Sequence, residues 1–185
     1  MLIRLAFIIL VLFFSLASFA KLTLFSFEEL IADTELIVYG EVFAIRYNKD
    51  YSGTAKIRVF EVLRGEYQNC DIEYNWTNSQ HSRDIDRAAQ RYVIFMKKDG
   101  GRYVSSVHGA GVWNVYLNTE DFNKSVVVND FIDTLPENLF EKFKTDNDQI
   151  VDKKITLDSL RLFFKSNALK KPAKQQACIL GPQQG

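Results

Sequence analysis

The chain has 185 residues, nearly half of them apolar and a quarter charged, with 23 basic side chains against 23 acidic ones. That length supports one domain with a real core and short appendages. The even charge balance excludes the basic footprint of a nucleic-acid binder and the acidic tail of a solvating protein.

Residues 1–20 carry the three parts of a secretory signal peptide. Arg4 supplies a basic start, Leu5 to Phe14 is unbroken apolar sequence, and Ser18 and Ala20 stand at the −3 and −1 positions of a cut after Ala20. The competing reading is an uncleaved membrane anchor, for which the apolar run is short against the about 20 residues a bilayer span needs. The expected location is therefore the periplasm or the medium. Two cysteines, Cys70 and Cys178, then meet an oxidising compartment. They either bridge, closing a loop of roughly 100 residues worth about 4–5 kcal/mol in the chain-entropy estimate, or remain two free thiols.

Along the mature chain, Ser26 with Glu29 has capping-box spacing, and Phe25 with Leu30 stands at staple positions, which predicts a short helix ending near Asp33-Thr34. Glu35 to Tyr47 reads as a strand in which Gly40 marks a bend, a bulge or the close approach of another backbone. The polar stretch from Asn48 to Gly53 is its hairpin loop. In the return strand, Ala55 to Gly65, positions 55, 57 and 59 share one face, but the phase slips before Val62 and Leu63. Period two admits no slip without an extra residue, so a β-bulge or strand end is expected near Phe60-Glu61.

Asp71 to Trp76 alternates as a half-buried strand. Residues 77–91 read as a long polar loop with a helical turn around 85–90. Tyr92 to Met96 is a short apolar strand, and Lys97 to Gly101 is a hairpin turn in which Asp-Gly and Gly-Gly allow positive φ. Arg102 to Val107 is the predicted return strand, His108 to Gly111 a turn, and Val112 to Tyr116 and Val126 to Val128 further strands. Acidic residues then predominate from Asp130 to Asp152. A helix is expected from Pro136 to Lys144 and another from Thr156, as cap, to about Ser166, with Leu157, Leu160, Phe163 and Phe164 as its apolar stripe. Beyond Asn167 little remains to pack. The expected fold is mainly β with a C-terminal α part: a small antiparallel β-barrel over 21–130, flanked by a short N-terminal helix and a two-helix extension over 131–167, with a tail from 168 to 185.

The succession Leu36-Ile37-Val38-Tyr39-Gly40-Glu41-Val42, then Ile57-Arg58-Val59-Phe60-Glu61-Val62-Leu63-Arg64-Gly65, then Arg91-Tyr92-Val93-Ile94-Phe95-Met96 with a Gly-containing hairpin is similar to secreted bacterial proteins with an OB-fold barrel. That barrel is like the N-terminal domain of the tissue inhibitors of metalloproteinases. The resemblance spans about Ser26 to Trp113 and implies a small OB-like barrel. The animal inhibitors bind the protease zinc through an N-terminal Cys. Here the expected mature start is Lys21, so that mechanism does not carry over.

Candidate chemistry is sparse. His81 lies near Asp84 and Asp86, but the spacing matches no established metal-ligand pattern, and His108 lies in a glycine-rich turn. Cys70 stands between Asn69 and Asp71, which disfavour a reactive thiolate, and no nucleophile elbow occurs. No metal, cofactor or catalytic residue is assigned. Trp76, His81, His108 and Trp113 are the candidate ligand-binding residues. Three functional readings follow. The first is an exported non-enzymatic barrel that binds another protein, as an inhibitor or immunity-like partner of a hydrolase, through the 77–90 loop with the Gly109 turn. The second is a saccharide- or small-ligand-binding barrel using Trp76, Trp113 and nearby tyrosines. The third is a metal-dependent hydrolase using His81, His108, Asp84 and Asp86.

Overall fold

The computed structural model describes residues 24–50, 52–77, 85, 87–117, 124–128, 131–136, 139 and 154–166. The predicted N-terminal helix is α1, Phe27–Ala32. The Ser26 hydroxyl accepts the Glu29 N–H at 3.1 Å, and the Glu29 carboxylate accepts the Ser26 N–H at 2.7 Å. The capping box expected from the spacing is thus formed, and it satisfies two amide groups at the helix start. At the other end, Arg64 donates to the Ile31 carbonyl at 2.7 Å. That bond ties the helix to the end of the strand Gly53–Arg64.

Five strands close into a barrel: β2 (Leu36–Tyr47), β3 (Gly53–Arg64), β4 (Asp71–Trp76), β5 (Arg91–Asp99) and β6 (Arg102–Ser105). Going round the wall the order is β2-β3-β4-β6, with β6 pairing back onto β5 and β5 onto β2. All neighbours are antiparallel except β4 and β6, which are parallel through Tyr74 with Tyr103 and Asn75 with Val104. The sheet continues past β5 through β7 (Val112–Leu117), β8 (Lys124–Val127) and β10 (Lys154–Thr156), while β1 (Phe25–Ser26) pairs with β9 (Ile132–Thr134). The strands β9 and β10 were not expected; each is three residues long and lies within sequence read as acidic linker or helix cap.

Two cores result. The barrel interior holds Leu36, Val38, Val42, Ala55, Ile57, Val59, Val62, Ile72, Tyr74, Tyr92, Ile94 and Met96, among others. A second core on the outside of the wall gathers Ile37, Tyr39, Val93, Phe95, Trp113 and Val115 with Phe27 and Leu30 of α1. The outer core is completed by Ile132, Leu139, Ile155 and the helix α2, Leu157–Ser166, through Leu157, Leu160 and Phe164. So β2 and β5 are buried on both faces. That is why Leu36 to Tyr39 and Tyr92 to Met96 read as continuous apolar runs, whereas β4, covered on one face, alternates. The predicted cap of α2 is also present, with the Ser159 N–H donating to the Thr156 hydroxyl at 3.0 Å. The described helices are α1 and α2; the helix expected from Pro136 to Lys144 falls, apart from Pro136 and Leu139, outside the described residues.

The phase slip in β3 is a bulge. Tyr39 pairs with Glu61 and the next residue, Gly40, with Val59, so Phe60 is the extra residue. Gly40 beside it faces the Arg58 backbone: a Cβ there would lie 2.5 Å from the Arg58 carbonyl oxygen. The bulge puts Phe60 and Glu61 together on the outer face, because one inserted residue re-aims the side chain after it. Phe60 then packs on Tyr39, ring centroids 5.5 Å apart, while Glu61 meets Arg161 of α2 through bonds of 2.6, 2.8 and 3.1 Å. Arg161 also reaches Asp158. Both ends of the Glu61–Arg161 pair are largely screened from water and the contact is forked. Arg161→Ala is therefore expected to cost about 1–2 kcal/mol in chemical denaturation, more than an exposed pair; a loss indistinguishable from zero would show that the bulge does not dock α2.

The return strand stops two residues before its expected end. Ser106–Gly109 forms a 3-10 turn instead. Val107 has φ 46, which a β-branched residue rarely adopts. Its N–H donates to the Asp33 carboxylate at 2.8 Å, and the same carboxylate holds Lys97 at 2.8 Å. The Ser106 hydroxyl bonds the Asp33 carbonyl. A contact 74 residues away in sequence thus overrides the local β preference.

Candidate functional site

Positions 39, 41 and 43 of β2 and 58 and 60 of β3 lie on the outside of the barrel wall, because positions 38, 42, 57 and 59 fill its interior. This outer wall carries three cation–aromatic pairs. Arg58 lies over Phe43 at 5.4 Å from the ring centroid, Arg91 over Phe60 at 5.6 Å, and Lys124 over Tyr39 at 4.9 Å. Such pairs occur about once per 70–80 residues, so three on one wall make it the most distinctive surface among the described residues.

Each cation is held by a different element. Arg58 pairs across the β3–β4 ladder with Asp71 at 3.7 Å. Arg91 pairs with Glu41, its direct neighbour on β2, at 3.2 Å. Lys124 opens β8 and has no acidic partner among the described residues. The Arg91 guanidinium is pushed above its ordinary range, chiefly by the hydrogen bond to Glu41 and with a smaller contribution from Tyr39. Tyr39 itself is buried, and its hydroxyl makes no hydrogen bond of good geometry. At the near end of the wall Glu61 and Arg161 form the bulge contact. At the far end the β2–β3 hairpin runs on with Phe43 41% exposed on this face, while Tyr47 turns to the other face, against Trp76 and the Ile85 carbonyl. Its tip is braced by Asn48 N–H to the Ser52 carbonyl, and Asp50 accepts from the Ser52 hydroxyl at 2.7 Å. Those Ser52 bonds hold the Asp50 carboxyl below its ordinary value.

Of the sequence-predicted site residues, the two tryptophans are described with their side chains, and neither lies on this wall. Trp113 is fully buried in the outer core, its indole N–H donating to the Ala110 carbonyl at 2.9 Å. Trp76 is buried in the barrel interior, stacked near Tyr74 and edge-on to Tyr47. The two tryptophans thus belong to different cores. His81, Asp84 and Asp86 lie outside the described residues, and His108 is described only as backbone of the 3-10 turn. The end of the long loop at Gln90 bonds to Val42, whereas the Gly109 turn adjoins Asp33 and Lys97 at the other end of β5. At about 3.3 Å per strand residue Gln90 and the Gly109 turn lie on the order of 20 Å apart; most of the loop between Thr77 and Gln90 lies outside the described residues. Cys70 is disulfide-bonded, and Cys178 lies outside the described residues. Among the described residues no group of three or more His, Cys, Asp or Glu is placed to hold a metal ion, and no helix is long and apolar enough to cross a membrane.

A second aromatic pair packs against the barrel-interior core. Tyr67 packs edge-on to Tyr103 at 5.8 Å and donates to the Asp71 carbonyl at 2.6 Å. Burial pushes the Tyr67 phenol above its ordinary value. A raised folded-state value means the folded chain holds this proton more tightly than the unfolded chain. Its stabilisation is full below about pH 10, the unfolded value, and is lost as pH rises through the folded one. Tyr67→Phe should therefore flatten the alkaline limb of a stability–pH profile; an unchanged limb would rule the linkage out.

No protein-family model matches the chain, and no curated protein matches it.

Proposed function

We propose that this is an exported, non-enzymatic OB-like barrel that binds another protein, as an inhibitor or immunity-like partner of a hydrolase, through the outer wall of the β2–β3 hairpin. The OB-like reading is supported by the wall order β2-β3-β4-β6-β5 and by the parallel β4–β6 pair. The protein-binding reading rests on the row of aromatic–cation pairs ending in exposed Phe43. Arg and aromatic side chains dominate the energetics of protein interfaces, and a two-stranded support already fixes their geometry before contact. This wall replaces the long loop and the Gly109 turn as the proposed contact surface.

The test is site-specific photocrosslinking in exporting cells. A photoreactive residue at Phe43 should capture one discrete protein, and the same residue at Glu28, exposed on α1, should not. Equal capture at both positions, or none at Phe43, refutes this reading. Phe43→Ser should abolish association while leaving the fold intact, since Phe43 is already exposed.

A further inference from the structure

We infer that Tyr39, Lys124 and Arg91 form a receptor for a single carboxylate, carried on an acidic segment of the partner protein. The inference rests on the protein-binding reading above and deepens it. Three observations meet at one point of the wall. The Tyr39 hydroxyl is buried beside the Arg91 guanidinium, which can only donate to it, and finds no acceptor for its own proton among the described residues, an arrangement proteins rarely keep because a polar group hidden from water forfeits its bonds to water. Lys124 covers the same ring at 4.9 Å and has no acidic partner among the described residues. Arg91 is held from one side by Glu41, through its Nε at 3.2 Å, while its guanidinium lies over Phe60, whose ring packs on Tyr39.

The charge count selects the ligand. Arg91 is already matched by Glu41, and Glu61 is taken by Arg161. Among the described residues, one positive charge, that of Lys124, is left over. A carboxylate balances it, whereas a phosphate dianion overcharges the site. Lys124 is a long, flexible side chain lying on the Tyr39 ring. Swinging aside, it opens the phenol and follows the incoming oxygen, which then accepts from the Tyr39 hydroxyl and the ammonium together. Such charge-assisted bonds are the strong ones, and the low-dielectric surroundings of Tyr39 strengthen them further. A segment approaching along the outer face of the β2–β3 hairpin passes exposed Phe43 on the way. A free small acid gains nothing from that ring, and this favours a peptide as the carrier.

The experiment uses the exported full chain and hexaglutamate as probe, followed by calorimetry at low salt. Binding is expected, and it should weaken at least about tenfold in both Tyr39→Phe and Lys124→Gln, the loss of one charge-assisted bond. Tyr39→Phe keeps the packed ring, so the fold is retained, but it also removes the hydroxyl beside Arg91; Lys124→Gln leaves that contact in place and is the independent reading of the site. Hexalysine should not bind. Equal binding by wild type and both variants overturns the receptor. Acetate binding as tightly as hexaglutamate overturns the peptide part and leaves a small-acid site. Capture of a partner at Phe43 that survives both variants unweakened overturns the receptor while the protein-binding reading stands. Variant-sensitive hexaglutamate binding without any captured partner does the reverse.

Discussion

Trp113→Ala should bring the protein close to unfolding. The indole is fully enclosed, 4.5 Å from Phe95 and 5.9 Å from Phe27 by ring centroids, and it donates to the Ala110 carbonyl. It therefore pins three elements: β5, β7 and α1. Removing a buried Trp costs about 3–5 kcal/mol through lost transfer energy and the cavity left behind. A domain has only about 5–15 kcal/mol in total. Urea denaturation followed by circular dichroism measures the loss directly, and a cost below about 1 kcal/mol would contradict the packing described. The same burial bears on saccharide binding. Stacking of a sugar needs an open ring face, and neither Trp113 nor Trp76 offers one in this fold.

Gly40→Val should be nearly as damaging for a different reason. A Cβ at this position would lie 2.5 Å from the Arg58 carbonyl oxygen and 2.8 Å from Cγ2 of Ile57. The carbonyl belongs to the paired β3 backbone and cannot rotate away like a side-chain end. Either the β2–β3 ladder opens at the bulge or the strands separate locally. Overpacking of this kind costs about 3 kcal/mol. Gly100→Ala is the control. Nothing lies near its Cβ, although its φ of +55 is costly for alanine, so a loss of about 1 kcal/mol is expected. If the two substitutions prove equally mild, Gly40 is not a close-approach position.

Much of the local structure was legible because it is written in local periodicity. The Ser26–Glu29 box, the Thr156 cap, the alternation of β4 and the slip at Phe60 each need only a few adjacent residues. The candidate site was not legible in the same way. Its members are spread over β2, β3, β5, β8 and α2, from Tyr39 to Arg161. A signal was present in outline: Glu41, Phe43, Arg58 and Phe60 are charged or aromatic residues at the positions out of phase with the barrel interior. The tryptophans stand out more strongly in the sequence, although a Trp within a strand pattern is more often core, as Trp76 and Trp113 are. The strand expected over 102–107 ends at Ser105, because Asp33 takes the Val107 N–H and nothing near Val107 in the sequence announces that contact.

The chain by itself determined most of the longer strands, the two helix caps and the bulge, since turns, caps and period-two patterns are set by neighbours in sequence. Only the tertiary structure decided which apolar face of β2 and β5 fills the barrel and which meets α1 and α2. A continuous apolar run has no phase, and burial on both faces erases the alternation that would reveal one. The closure of β6 onto β5 and β4, and the placing of Lys124 over Tyr39, likewise depend on contacts between residues far apart in the chain. Their selection comes from packing two cores at once, which no local window of sequence contains.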